Sequence, residues 1–491
     1  MTAEDQSSMP SGLSRAGSLL FYLLAYAAVL IVGTVIESTL FGIGSSLDAL
    51  SHVQTNRVIG YPIDEHCEQR QSVILLDEET LKIKEWEWPV RYDDQAKALK
   101  AIREREPMAV MVDILFLTFR AEEGLEKLLE EIKNYEQAGI PLFIAAPPWQ
   151  PGSEDEVLPP IQDVVLESDI VEFVPVNLIS PIAGDGRDEW AASLQYPSFG
   201  QIRDERRRET TAFRLARLVK NRDRETESTF HSAAAEASSA FEGELPTLRR
   251  PLTLMWGTNP RQILDRNGSC GEPSGFEFLL DTWVGRLVSS MFNSHSLTSQ
   301  CPFIDTLRID ELDEVSKSAR NRHLIRDRVV FYGQNLTAAE DVRLSPTHGV
   351  VPSVYIHAMA LDNLIRFPDK GYFSESGEVF GNRLTKSWLE VLLGAACIVL
   401  FTTLAMQVRV IIARRCGNGM KASYLKLLSF VVFMAIALVG LMYLQRVFVY
   451  EFSFAPLNWI GLFLTIGAVF SAELVEFPSR LKGRLKSIIG P

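Results

Sequence analysis

Three hydrophobic stretches close the chain, at residues 387–408, 427–443 and 457–475, and a fourth stands near its start, at 17–36. Each is rich in Leu, Val, Ile, Ala and Phe. As a helix, each reaches or nearly reaches the length needed to cross a bilayer's hydrocarbon core of about 30 Å. Residues 37–386, mostly polar, lie between the first stretch and the second. One membrane helix, one large soluble domain and three more membrane helices is the layout of a receptor.

The flanking charges orient the four stretches. Arg15 precedes the first, and the next basic residue is Arg57. Arg409, Arg414, Arg415, Lys421 and Lys426 crowd the link between the second and third, and Arg480, Lys482, Arg484 and Lys486 follow the fourth. The link between the third and fourth holds only Arg446, beside Glu451. Lys and Arg collect on the cytoplasmic side of a membrane. The expectation is therefore a multi-pass protein of a bacterial inner membrane, with both termini cytoplasmic and the large domain outside. The first stretch is long and has no small-residue cleavage site close behind it, so it reads as an anchor. The expected organisation is a tail (1–16), a membrane helix (17–36), a linker (37–71), the outer domain (72–367), a linker (368–386), three membrane helices (387–475) and a basic tail (476–491).

A formal net charge of −13 disfavours a nucleic-acid partner, because phosphate attraction dominates that affinity. The basic run at 203–208 (RDERRR) is broken by Asp204 and Glu205 and reads as a solvated helix face. Cys67, Cys270 and Cys301 fall on the outer, oxidising side. Of their three pairings, Cys270 with Cys301 is the disulfide candidate. No clustered Cys/His set suggests a structural metal, and no cofactor is expected.

Within the outer domain, apolar runs at 72–76, 108–113, 140–146 and 328–332 read as buried strands. Weaker strand patterns cover 171–178 and 252–256. Helical periodicity covers 93–106, 122–137 and 353–365, with a charged helix or two at 203–239. Alternating strands and helices imply an α/β domain with a largely parallel sheet covered on both faces. The expected fold class is this extracytoplasmic α/β domain plus four transmembrane helices, one N-terminal and three C-terminal.

Asp77 and Asp113 stand at the carboxyl ends of two such strands, where open α/β sheets bind ligands. They could hold a cation or ligand hydroxyls, or simply cap helices and bond loop amides. Arg91 could pair with either acid or bind an anion. Trp88, beside Trp86, could stack a ligand or pack. Gly333 ends the last clear strand but is one glycine, weak support for phosphate binding. His357 opens a helix and is either a hydrogen-bonded core residue or part of a site. No nucleophile–base–orienter set, Walker motif or HExxH is present, so the chain does not read as an enzyme.

The ordered set of motifs resembles the type 2 CHASE domain, an extracytoplasmic sensory family associated with cyclases and histidine kinases. Four stretches carry the resemblance: Val73-Ile74-Leu75-Leu76-Asp77-Glu78; Trp88-Pro89-Val90-Arg91; Val112-Asp113-Ile114-Leu115-Phe116; and Arg326-Asp327-Arg328-Val329-Val330-Phe331-Tyr332-Gly333. Gly349, Val350, Val354, Ile356-His357-Ala358 and Leu361 follow the last of them. Val112 stands where the family's Phe-Asp-Ile-Leu-Phe run has its first Phe. The resemblance implies a sensor, and in the family a cytoplasmic output domain usually follows. Here 15 residues, 477–491, follow the last stretch. The expectation is a sensor that signals through its membrane helices to a separate cytoplasmic or membrane protein, with the lipid bilayer as its other partner. The small-molecule ligand is unidentified, and homo-oligomerisation stays open. The alternatives are a structural or effector subunit whose helices form or perturb a membrane path, and an outer-face enzyme using Asp77, Asp113 and His357.

Overall fold

The computed structural model describes residues 43–59, 70–116, 124–146, 159–176, 195–196, 199–201, 207–230, 252–256, 304–313, 318–339, 341–366, 376–379, 382–416, 420–452 and 456–474. The predicted first membrane helix, at 17–36, and Cys67, Cys270 and Cys301 lie outside them.

The described elements begin with α1 (Ile43–Ile59), β1 (Gln71–Asp77), α2 (Glu78–Lys84), α3 (Tyr92–Arg103), β2 (Ala109–Val112), α4 (Leu125–Gln137) and β3 (Leu142–Ala146). Then come α5 (Pro159–Glu167), β4 (Val171–Pro175), β5 (Gln195–Tyr196), β6 (Phe199–Gln201), β7 (Arg207–Glu209), α6 (Thr211–Phe230), β8 (Leu252–Thr253) and β9 (Thr306–Arg308). The last group is α7 (Ser318–Ile325), β10 (Val329–Asn335), β11 (Val342–Ser345), β12 (Gly349–Pro352), α8 (Val354–Arg366), β13 (Ser376–Val379), β14 (Asn382–Thr385), α9 (Lys386–Cys416), α10 (Met420–Tyr450) and α11 (Trp459–Leu474).

Six strands form one sheet in the order β4-β3-β2-β10-β1-β9, and every pairing in it is parallel. Strand residues alternate between faces, and the continuous apolar runs follow from both faces being covered. Val73, Leu75, Ala109, Met111, Val329 and Phe331 point to one face, where α6 and α8 pack. Ile74, Leu76, Val110, Val112, Val330 and Tyr332 point to the other, against α3, α4, α5 and α7. Each fully buried Val, Leu or Ile of these two layers contributes about 1.5–3 kcal/mol. Gly124 opens α4 at φ +83°, where a Cβ would lie 2.5 Å from the Asp93 backbone nitrogen, so this entry requires glycine.

Several additions fall outside the expected pattern, among them the antiparallel hairpin β13–β14 within the expected linker 368–386. Residues 37–71, expected to be a linker, contain the 17-residue helix α1. The antiparallel hairpin β11–β12 is inserted between β10 and α8.

Of the expected membrane helices, the segment Tyr424–Val449 within α10 is long and apolar enough to cross a bilayer. The described helix α11 has 16 residues, about 24 Å at 1.5 Å per residue, short of the hydrocarbon thickness. Helix α9 covers the stretch 387–408 in a 31-residue helix. The three pack together around Phe401, Ala437, Leu441 and Ile466.

Candidate functional site

Asp113 follows β2 directly. The alternation that sends Ala109 and Met111 toward α8 gives Asp113 the same face. Its N–H continues the ladder by donating to Tyr332 O at 2.7 Å. The carboxylate is buried, and its Oδ2 accepts from Ser353 Oγ at 3.1 Å. Burial pushes this carboxyl up to about 6, against the pull of the Ser353 bond and the charge of Arg343.

His357 lies one turn into α8 and is 1% exposed. Its Nδ1 is 2.7 Å from Tyr196 Oη, and the two rings meet edge to face at 5.5 Å. The Ala212 N–H donates to the same Tyr196 oxygen at 3.2 Å. The tautomer of the neutral imidazole sets which of Tyr196 Oη and Nδ1 donates in this bond. The His357 Nε2 has no hydrogen-bond partner and stands 3.8 Å from Asp113 Oδ2. Burial holds the ring down at about 4, although Asp341 pulls the other way. Burial raises the Tyr196 phenol.

A second carboxylate completes the cluster. Asp341 stands just before β11, and its carbonyl accepts the Ser353 N–H at 3.0 Å. Its side chain is raised first by burial and then by Asp113, with Ser353 pulling the other way. Two acids, one serine hydroxyl, one neutral histidine and one tyrosine thus meet beyond the carboxyl ends of β2 and β10. Among the described residues, no group of three or more His, Cys, Asp or Glu side chains is placed to hold a metal ion.

The other candidates are engaged elsewhere. Asp77 is the N-cap of α2 and accepts the Thr80 N–H at 2.7 Å. Arg91, half-exposed, pairs with Asp94 at 3.3 Å and Asp93 at 3.5 Å. Trp88 packs half-buried against the core layer of α3 and α4. Gly333 leaves room for Val354, whose Cβ would lie 2.6 Å from an added Cβ. The sheet thus brings Asp113 and His357 together, while Asp77 and Arg91 bond within their own helix starts. Tyr196, Asp341 and Ser353 were not candidates from the sequence. They come from a two-residue strand and from the ends of the hairpin, where no periodicity marks them.

Through α1, the hairpin connects this cluster to α10 and the entry to α11. Its base is closed by Asp341 and Ser353. At its tip, Pro346 O accepts Arg57 Nε at 2.8 Å, and the His348 ring lies 6.1 Å from that of Trp256. The Trp256 N–H donates to Asn56 Oδ1 at 2.6 Å. Arg57 and Asn56 belong to α1, which bonds α10 and the entry to α11 through other side chains. Gln445 Nε2 donates to Thr55 Oγ1 at 3.2 Å, and Gln445 Oε1 accepts the Leu457 N–H at 3.1 Å. Ser51 Oγ donates to Asn458 Oδ1 at 3.2 Å, and Trp459 Nε1 donates to Ser51 O at 3.2 Å. Val58 and Ile59 pack on Leu438, Met442 and Trp459.

A family model described as the CHASE2 domain matches residues 26–405, which includes α1, the sheet, the hairpin and the first part of α9. No curated protein and no solved structure matches the chain.

Proposed function

The chain belongs to the CHASE2 domain family, a family of extracytoplasmic sensory domains, and from that membership we propose that it is a membrane-anchored sensor that passes its signal through its membrane helices to a separate protein. The observation that carries this reading is the position of α1. Ser51, Thr55 and Asn56 are fully buried polar side chains of one helix. Asn56 bonds the outer domain, and Ser51 and Thr55 bond α10 and the entry to α11. Buried polar groups are costly unless paired. A shift of the outer domain against α1 therefore breaks bonds, and moving α1 with it re-seats the membrane helices. Four membrane helices, with the termini inside, agree with the flanking charge, and the receiving protein would meet α10 on its exposed face at Leu428, Ile436 and Tyr443.

Photo-crosslinking from Leu428 and Ile436 in cells, read by mass spectrometry, tests this. A recurrent protein adduct whose yield changes in Asn56→Ala is expected. Adducts to lipid alone, or a yield indifferent to Asn56→Ala, would count against transmission through α1.

A further inference from the structure

The sensor reading leaves the stimulus open, and the buried acids narrow it. Ser353 has a single hydroxyl proton, which it donates to Asp113 Oδ2 at 3.1 Å, while its N–H donates to the Asp341 carbonyl at 3.0 Å. With both carboxylates ionised, the hydroxyl serves the buried Asp113, and the half-buried Asp341 places a like charge beside it. One added proton on either acid supplies a new donor and removes one of the two neighbouring negative charges. His357 Nε2, unpartnered and 3.8 Å from Asp113 Oδ2, is about 1 Å too distant to serve as that donor. The groups facing Asp113 are Asp341 and Arg343 from the hairpin, Ser353 and His357 at the start of α8, and Tyr196 from β5. Arg343 is the cation that offsets the two acids, and it also donates to Val342 O.

We propose that Asp113, Ser353 and Asp341 form a proton-binding site, and that proton uptake there sets the hairpin β11–β12 against α1. The inference rests on the sensor reading and names its stimulus as extracytoplasmic acidity. The geometry joins cause to readout. The two acids hold the hairpin's base, and its tip bonds Arg57 and packs on Trp256. The turn is fixed by Ser345 Oγ, which accepts the Thr347 and His348 N–H groups. Protonation of Asp113 or Asp341 changes which partner Ser353 serves, shifts the hairpin base, and moves the tip that α1 holds. Desolvation raises both acids, Asp113 to about 6.

The test is amide hydrogen exchange on the full chain in lipid nanodiscs, corrected for the intrinsic pH dependence of exchange. Protection at Thr347, His348 and Trp256 should change at least about fivefold between the acidic and neutral states, the low end of ordinary site–site coupling. The change should follow one titration centred near pH 6 in the unaltered chain. Asp113→Asn and Asp341→Asn should each flatten it, and where one of them does not fold, the other decides. A pH-independent profile in the unaltered chain, or a titration retained in the folded variants, overturns the proposal. The sensor reading is judged separately at fixed pH. If Asn56→Ala still loosens Trp256 and alters the crosslink while the titration is absent, the stimulus is wrong and the transmission path stands.

Discussion

His357 Nε2 faces Asp113 Oδ2 across 3.8 Å of protein interior, and the two groups shift in opposite directions. Burial raises the acid from 3.8 to about 6 and lowers the imidazole from 6.5 to about 4. The folded state thus favours the neutral form of both. The contribution of Asp113 to stability is present below pH 3.8 and lost as pH rises through about 6. That of His357 is present above pH 6.5 and lost as pH falls through about 4. Asp341 has the same sign as Asp113.

Single substitutions should expose these opposed slopes. Relative to the unaltered chain, Asp113→Asn should lose stability on acidification through this window, and His357→Gln should gain it. Each difference is on the order of 3 kcal/mol across the window. Chemical denaturation at several pH values measures it. Parallel curves for all three proteins would show that neither group titrates on folding.

Tyr196→Phe removes the partner of His357 Nδ1 and the acceptor of the Ala212 N–H. It should cost about 1–3 kcal/mol, because two buried groups lose their partner. A denaturant midpoint unchanged from the parent would contradict the buried Tyr196–His357 bond.

Asp77→Ala should cost about 1 kcal/mol through loss of the α2 cap, and Asp77→Asn much less. Neither should alter the pH dependence of hairpin exchange. A changed titration in either variant would place Asp77 in the proton site.

Gly333→Ala should destabilise by about 1–3 kcal/mol, since its Cβ would meet Val354. Combining it with Val354→Ala should recover part of the loss. Additive costs in the double variant would argue that Gly333 is needed for another reason.

Reporter fusions at Gly417 should read cytoplasmic, and fusions within 203–239 extracytoplasmic. An outside reading at Gly417 would refute the orientation drawn from the flanking charges.

The central strands were legible because burial on both faces makes them continuous apolar runs, as at Val73–Leu76 and Val329–Tyr332. Strand β9 was not, because Thr306–Arg308 is a three-residue edge with one buried side chain. Helix α1 was hidden for a different reason. Its buried positions include Ser51, Thr55 and Asn56, so apolar periodicity cannot reveal the face that packs. Asp113 and His357 were visible as polar residues beside strand and helix signals. Their partners Tyr196, Asp341 and Ser353 were not, because only tertiary folding brings a two-residue strand and the two ends of a hairpin to the same place.

The joints of α1 bond main chain as much as side chain. Asn56 reads the Trp256 N–H and Arg57 reads the Pro346 carbonyl, and at the adjoining joint between α10 and α11 Gln445 reads the Leu457 N–H. A peptide group is the same whatever residue carries it. The receiving positions are therefore free to change identity without unfastening the joint, whereas the amides and guanidinium that reach for them are not. A different outer domain grafted above these helices would need only to present an N–H and a carbonyl at the same two places, so this junction behaves as a socket defined by backbone shape.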